Sequence, residues 1–182
     1  MSAEPNPQPG IQPGKVSSRW AFKEWAVVCE ALVQGRQSIL LRKGGIHEEG
    51  GVFRPEHDRF WLYPTRFHQS PAELIPGTDD LIAAAKSRAS GAGTIQFSEF
   101  VQVQNVEFVS DEAELALYRD RHILSNETVH QRFHYRRPGL YVLEVDVFRT
   151  EEPVVIEEHP DFAGCKTWVE LPEELTATVF RC

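Results

Sequence analysis

Strand-forming segments fall in three groups along this chain, and the helical segments between them do not alternate with them regularly. A doubly wound parallel sheet needs strand and helix in steady succession. The pattern points instead to an α+β domain with a mixed, partly closed β-sheet or barrel flanked by helices. The clearest strand spans residues 140–148, where Tyr141, Leu143, Val145 and Val147 face one way and Glu144 and Asp146 the other. Residues 94–109 have strand composition with an alternation that changes phase. Ile95 and Phe97 share a parity with Val101 and Val103, whereas Phe100, Val106 and Phe108 take the other. Bulges near Glu99 and Asn105 would reconcile the two phases. Residues 37–42 and 60–63 read as further strands, with Pro64 confining the second to a sheet edge or an early stop. Residues 154–156 and 167–171 supply short ones.

Helical periodicity predicts a first helix capped by Ser17 or Ser18, with Trp25, Cys29 and Leu32 on one stripe, Phe22, Ala26 and Val33 beside them, and Gly35 at its end. The stripe is wide, so this helix should lie against a sheet with Trp20 and Trp25 in the core. A short helix over 78–88 has Asp79 and Asp80 at its positive end. Another begins near Ser110 and Asp111 with Ala113 and Leu117 inward. A last one, capped by Ser125 or Asn126, carries Val129 and Phe133 and stops before Pro138. Residues 1–16, rich in proline, glycine and polar groups, read as a disordered tail, and 17–182 as a single domain.

The composition, 41% hydrophobic and 25% charged over 182 residues, suits one domain with a substantial core. No apolar run approaches the ~18–20 residues that span a bilayer, and the first residues lack the pattern of a signal peptide. A cytoplasmic protein without membrane association is therefore expected. Cys29, Cys165 and Cys182 are too few and too scattered for a disulfide framework or a zinc cluster, and Cys29 reads as a small buried hydrophobe. The net charge of −8 opposes indiscriminate adhesion to polyphosphate. Yet residues 118–137 hold five arginines against Asp120 and Glu127, a local +3 that leaves −11 for the rest. A basic surface on an acidic body suits a specific anionic ligand.

Functional groups concentrate in residues 40–69, LLRKGGIHEEGGVFRPEHDRFWLYPTRFHQ. Two glycine pairs permit close approach to the backbone, and Arg42 and Lys43 beside them suit a phosphate or carboxylate. The spacing matches neither the phosphate-cradling loop nor the dinucleotide fingerprint, and a long hairpin in which the glycines only turn the chain fits equally. Trp61 and Tyr63 share one strand face, where they either stack a base or belong to the core. Arg66 and His68 follow with further hydrogen-bonding tips. His47, Glu48, Glu49, His57 and Asp58 offer nitrogen and oxygen donors, but no metal-binding spacing is present, and solvated side chains are the simpler account. His130 and His134 share a helix face but need a third ligand, which His122 or Glu127 would supply only if the fold brought it there. With Arg132, Arg136 and Arg137 interleaved, that face reads better as an anion-binding surface. Cys165 beside Lys166 has no histidine placed to activate it. No metal and no cofactor is expected.

The segments AFKEWAVVCEAL, ILLRKGGIHE, FWLYPTRFHQ and LYVLEVDVFRTEEPVVIEEHPDFAGCKTWVEL, in that order, resemble the bacterial family called domain of unknown function 1802. The resemblance spans roughly residues 20 to 172. It implies no activity and passes no catalytic role to any residue. The late order of strand, short strand and tryptophan-bearing strand is also similar to compact barrels of the PUA type, which bind RNA or modified bases; fold alone does not carry function. The resulting expectation is a binding module for nucleic acid, a nucleotide-like group or another anionic small molecule, through Arg42, Lys43, His47, Trp61, Tyr63, Arg66 and His68. The alternatives are a metal-assisted hydrolase or nuclease centred on His47, Glu48 and Glu49, and a subunit that uses these loops to meet a protein partner.

Overall fold

The computed structural model describes residues 14–44, 46–49, 52–65, 70–88, 93–164 and 166–182, with the backbone alone at 47–49 and 52–53. The strands are β1 (Gly14–Trp25), β2 (Ile39–Arg42), β3 (Ile46–Glu49), β4 (Val52–Pro55), β5 (Arg59–Thr65), β6 (Thr94–Val109), β7 (Leu140–Glu157) and β8 (Trp168–Arg181). The α-helices are α1 (Ala26–Val33), α2 (Asp79–Ser87) and α3 (Asn126–His134). Six strands form one mixed sheet in the order β2-β7-β6-β5-β1-β8, while β3 and β4 pair as a separate hairpin. β1 and β5 run parallel; the other pairs in the sheet are antiparallel. At Phe148–Thr150, β7 pairs β8 as well, so the sheet curls into a partial ring without becoming a closed barrel.

Alternation along β5 divides the interior. Phe60 and Leu62 join the larger core between the sheet and the helices, with Val28, Leu32, Leu81, Val129 and Phe133. Trp61 and Tyr63 point into the ring with Phe97, Phe100, Phe148 and Leu171. The expected bulges are present: the β6–β7 register shifts between Phe97 and Glu99 and again between Val103 and Asn105. Across the first shift, Phe97 and Phe100 both reach the ring interior although their parities differ. No helix among the described residues is long and apolar enough to cross a membrane.

Three expectations need correction. The segment from Ser17 to Trp25 is strand rather than helix, and helix α1 starts only at Ala26. The strand period was masked because two of its inward positions are polar. Ser18, buried, donates to the Arg59 carbonyl (3.1 Å), and Glu24, also buried, pairs with Arg42. This strand also takes in residues 14–16, with Lys15 and Val16 in register with Thr178 and Ala177. Second, β5 is an interior strand despite Pro64. β6 pairs it only at Arg59–Trp61 and β1 only from Trp61 to Thr65, so at Pro64 one side of the strand carries no ladder. Third, Glu112–Arg121 is a 3₁₀ helix in which Leu115 is buried and Leu117 is 79% exposed. The less exposed positions are Glu112, Leu115, Tyr118 and Arg121. That period of three is the one a 3₁₀ helix imposes, with residues i and i+3 eclipsed.

Candidate anion-binding site

Parallel strands β1 and β5 end together, with Trp25 beside Thr65. Glu24 sits at that end with its side chain 2% exposed. Its carboxylate accepts the Trp25 amide (2.8 Å) and one nitrogen of Arg42 (3.3 Å). Arg42, the last residue of β2, lays its guanidinium 4.4 Å from the Phe22 ring centre. It also donates to the Lys23 carbonyl (3.3 Å) and the Thr167 hydroxyl (3.2 Å).

From the opposite side α3 contributes Arg132. Its position is fixed by the helix: Ser125 caps the N-terminus by accepting the Thr128 amide (3.2 Å), and Val129 and Phe133 bury the inward face. Residue 132 lies one turn from Val129 and therefore points inward too. Its guanidinium is 4.5 Å from the Trp25 ring centre and donates to the Leu41 carbonyl (3.2 Å). Among the described residues this is its one hydrogen bond, although the group carries five donors. Burial, and the like charge of Arg42, hold the Arg132 pKa below the usual guanidinium range; Glu24 and, more weakly, Glu73 oppose the shift.

Lys43 completes the cluster. Its ammonium donates to the carbonyls of Phe133 (2.8 Å) and Gly139 (2.7 Å) and to that of Arg137. Three donors thus meet three carbonyls at the negative end of α3. Desolvation there lowers the Lys43 pKa. The turn is tight: Gly139 has φ +121°, and a Cβ at that position would run into the Phe108 ring. With Lys43 spent on these carbonyls, Arg42 and Arg132 are left within reach of the Glu24 charge, two cations against one buried carboxylate in a partly desolvated place. Such a place favours an anion.

The site proposed from sequence is therefore partly redrawn. Arg42 belongs to the cluster, while Lys43 is a structural cap rather than an open ligand contact. Trp61 is fully buried, its indole N–H donating to the Ser18 carbonyl (3.1 Å). Tyr63 is 6% exposed and donates to Glu158 (3.2 Å), and burial with the Glu158 charge raises its pKa. Both are core residues of the ring, with no face for a base to stack on. His47 lies in β3 with its side chain outside the described residues, as do those of Glu48 and Glu49; Arg66, His68 and Cys165 lie outside altogether. His57 stacks on Trp20 at 3.8 Å. Cys29 is buried, and its thiol pKa is raised by that burial.

The expected arginine-rich surface does not form as one face. Arg121 pairs with Glu144 (2.6 Å), Arg132 turns inward, and Arg136, in a left-handed backbone conformation, lies against the Tyr135 ring. Trp25 and Glu24 were missed as site residues, and Arg132 was expected on a surface with Arg136 and Arg137 rather than turned inward. Spacing from Val129 was the available signal for Arg132. Glu24 carried none until its segment was known to be a strand.

The family model described as Domain of unknown function (DUF1802) matches residues 21–181. The chain belongs to that family. No curated protein matches it. Among solved structures, the ASCH protein from Zymomonas mobilis is 14% identical, with 85% of this chain and 87% of that one covered and a TM-score of 0.49. A tyrosine-to-phenylalanine mutant of the same protein is 13% identical, with 85% and 90% covered and the same TM-score of 0.49. The likeness concerns the course of the chain.

Proposed function

We propose that this protein is a binding module for an anionic ligand, a nucleotide-like group or a short single-stranded nucleic acid, held by Arg42 and Arg132 beside Trp25. One observation carries the reading. Arg42 pairs with the buried Glu24 carboxylate, whose charge also reaches Arg132, and Arg132 uses one of its donors among the described residues. An arginine fork held in place on an aromatic ring is pre-organised for phosphate or carboxylate, because little side-chain entropy remains to be lost on binding. The arginine pair is local and the protein carries −8 overall, which favours one or a few phosphates over a long polyanion.

The test is fluorescence anisotropy with short labelled single-stranded RNA and DNA, and competition by free nucleotide, at several salt concentrations. Arg132→Gln should weaken binding at least tenfold and reduce the salt slope by about one, the signature of one lost phosphate contact. Arg132→Lys keeps the charge without the fork and should restore only part of the affinity. Melting temperatures of the same variants separate lost binding from lost folding. Absence of binding by the wild type at low salt would refute the proposal.

A further inference from the structure

The face of α3 opposite Arg132 presents a second constellation. His130 and His134 are one turn apart, with ring centres separated by 4.5 Å. The 3₁₀ helix facing them places Glu112 between the two. His130 Nδ1 meets one carboxylate oxygen at 2.6 Å, and His134 Nε2 meets the other at 2.9 Å. One donor atom from each of the three residues lies within 4.8 Å of the others. The sequence supplied the histidine pair without a third ligand, and neither His122 nor Glu127 is part of this group. The third ligand is Glu112, turned toward α3 by the three-residue period that also buries Leu115.

We propose that Glu112, His130 and His134 form a binding site for a divalent transition metal of the zinc class. Two imidazoles and a carboxylate are a nitrogen-rich, borderline set that suits zinc, cobalt or nickel and offers little to magnesium or calcium. Bonds of about 2.0–2.2 Å in tetrahedral array would hold donor atoms roughly 3.3 Å apart. The 2.6 and 2.9 Å separations therefore need to open by under an ångström. The three side chains are 41–54% exposed and have room to do so.

Hydrogen bonding alone accounts for the two contacts if each ring turns an N–H toward Glu112, whereas one shared cation would engage a lone pair from all three groups at once. As solvent-exposed ion pairs they would add little stability. Three protein ligands also leave a coordination position open. Beside the cluster lies an open groove of about 400 Å³, whose lining includes Glu112 and His130 together with Arg119, His122 and Asn126. The fourth position thus has access to water or to a small anion drawn by Arg119.

The experiment uses the full chain, stripped with a chelator and exchanged into metal-free buffer. Zinc should raise the melting temperature of the wild type and magnesium should not, since a ligand that binds the folded state stabilises it by mass action. Cobalt should give the visible d–d absorption of a low-coordinate nitrogen-ligated ion. Affinity should fall at least tenfold between pH 7.5 and pH 5.5, as protons compete for the imidazoles. His130→Gln/His134→Gln should abolish the zinc shift and the cobalt spectrum, and Glu112→Gln should weaken both. His159→Gln, which removes a surface histidine near Asp161, should leave them unchanged. All variants lie on the surface, and their melting temperatures without metal report directly on folding. An equal zinc shift in the wild type and the double variant, or no shift in either, overturns the proposal.

Discussion

Replacing Arg88 with methionine should cost this fold about 3–5 kcal/mol at pH 7.5, the usual penalty when one partner is removed from a buried ion pair. Arg88 caps α2 and reaches two carboxylates on different elements: Glu30 of α1 at 2.7 Å, and Glu99 of β6. Glu99 is 1% exposed and follows the first bulge of β6. Burial raises its carboxyl pKa even with Arg88 beside it, while hydrogen bonds from Arg88 and Gln34 lower that of Glu30 against the effect of burial. The pH dependence follows from these directions. The Glu99 contribution is present below the unfolded carboxyl pKa and is lost as pH rises through the raised folded value. That of Glu30 is present above the unfolded value and is lost as pH falls through the lowered one. Without Arg88 both folded values move up, so the deficit relative to wild type should be greatest near neutrality and shrink as the pH approaches 5. Urea denaturation at pH 7.5 and pH 5 measures it. At roughly 2–4 °C per kcal/mol for a chain of this size, the melting point should drop by about 6–20 °C. Arg88→Met combined with Glu99→Gln should recover part of the loss. A deficit below about 1 kcal/mol at pH 7.5, or one that does not change with pH, would refute the reasoning.

Two further predictions concern local geometry. Leu115→Ala should cost about 2–4 kcal/mol and Leu117→Ala no more than about 0.5, measured by urea denaturation, because the 3₁₀ period buries the first residue and exposes the second. A larger loss at Leu117 than at Leu115 would mean the α-helical period that turns residues 113 and 117 inward. Lys43→Met should destabilise the protein by about 1.5–3 kcal/mol by releasing the carbonyls at the end of α3, and hydrogen exchange should show residues 132–139 opening first.

What could be read from sequence was whatever local periodicity controls. The bulges of β6 followed from parity conflicts, Ile95 and Phe97 against Phe100 at the first and Val103 against Val106 at the second, since side chains that must reach one interior force an extra residue into the strand. Strand 37–42 and helices α2 and α3 were found within a few residues of their ends for the same reason. Failures came where long-range partners override the pattern. Ser18 and Glu24 occupy inward positions as polar residues because Arg59 and Arg42 satisfy them, so a strand looked like the start of a helix. β7 and β8 ran on to Glu157 and Arg181 because they pair with β6, with β1 and with each other, although their later residues have weak strand patterning. The site was hardest to see. Arg42, Arg132 and Glu24 come from three segments, and arginines grouped by composition at 119–137 point in different directions once folded.

Helix α3 is the element on which both proposed sites depend, and its geometry keeps them apart. At 3.6 residues per turn, Arg132 is two positions from His130 and two from His134, about 200° around the axis from each. The inward arginine is braced by Trp25, while the outward histidines meet Glu112, so neither site borrows a ligand from the other. What they share is a rigid mount. Ser125 fixes the N-terminus of the helix and Lys43 its C-terminus, and Val129 and Phe133 bury its middle. A nine-residue helix is too short to be stable alone, so its orientation is set by these caps and contacts. Glu73 adds to this by accepting the Ser125 amide (2.9 Å) and the Thr128 hydroxyl (2.8 Å) through its carbonyl. Loss of zinc binding with oligonucleotide binding intact, or the reverse, can therefore be assigned to one face, whereas loss of both from a change at Lys43 would trace to the mount.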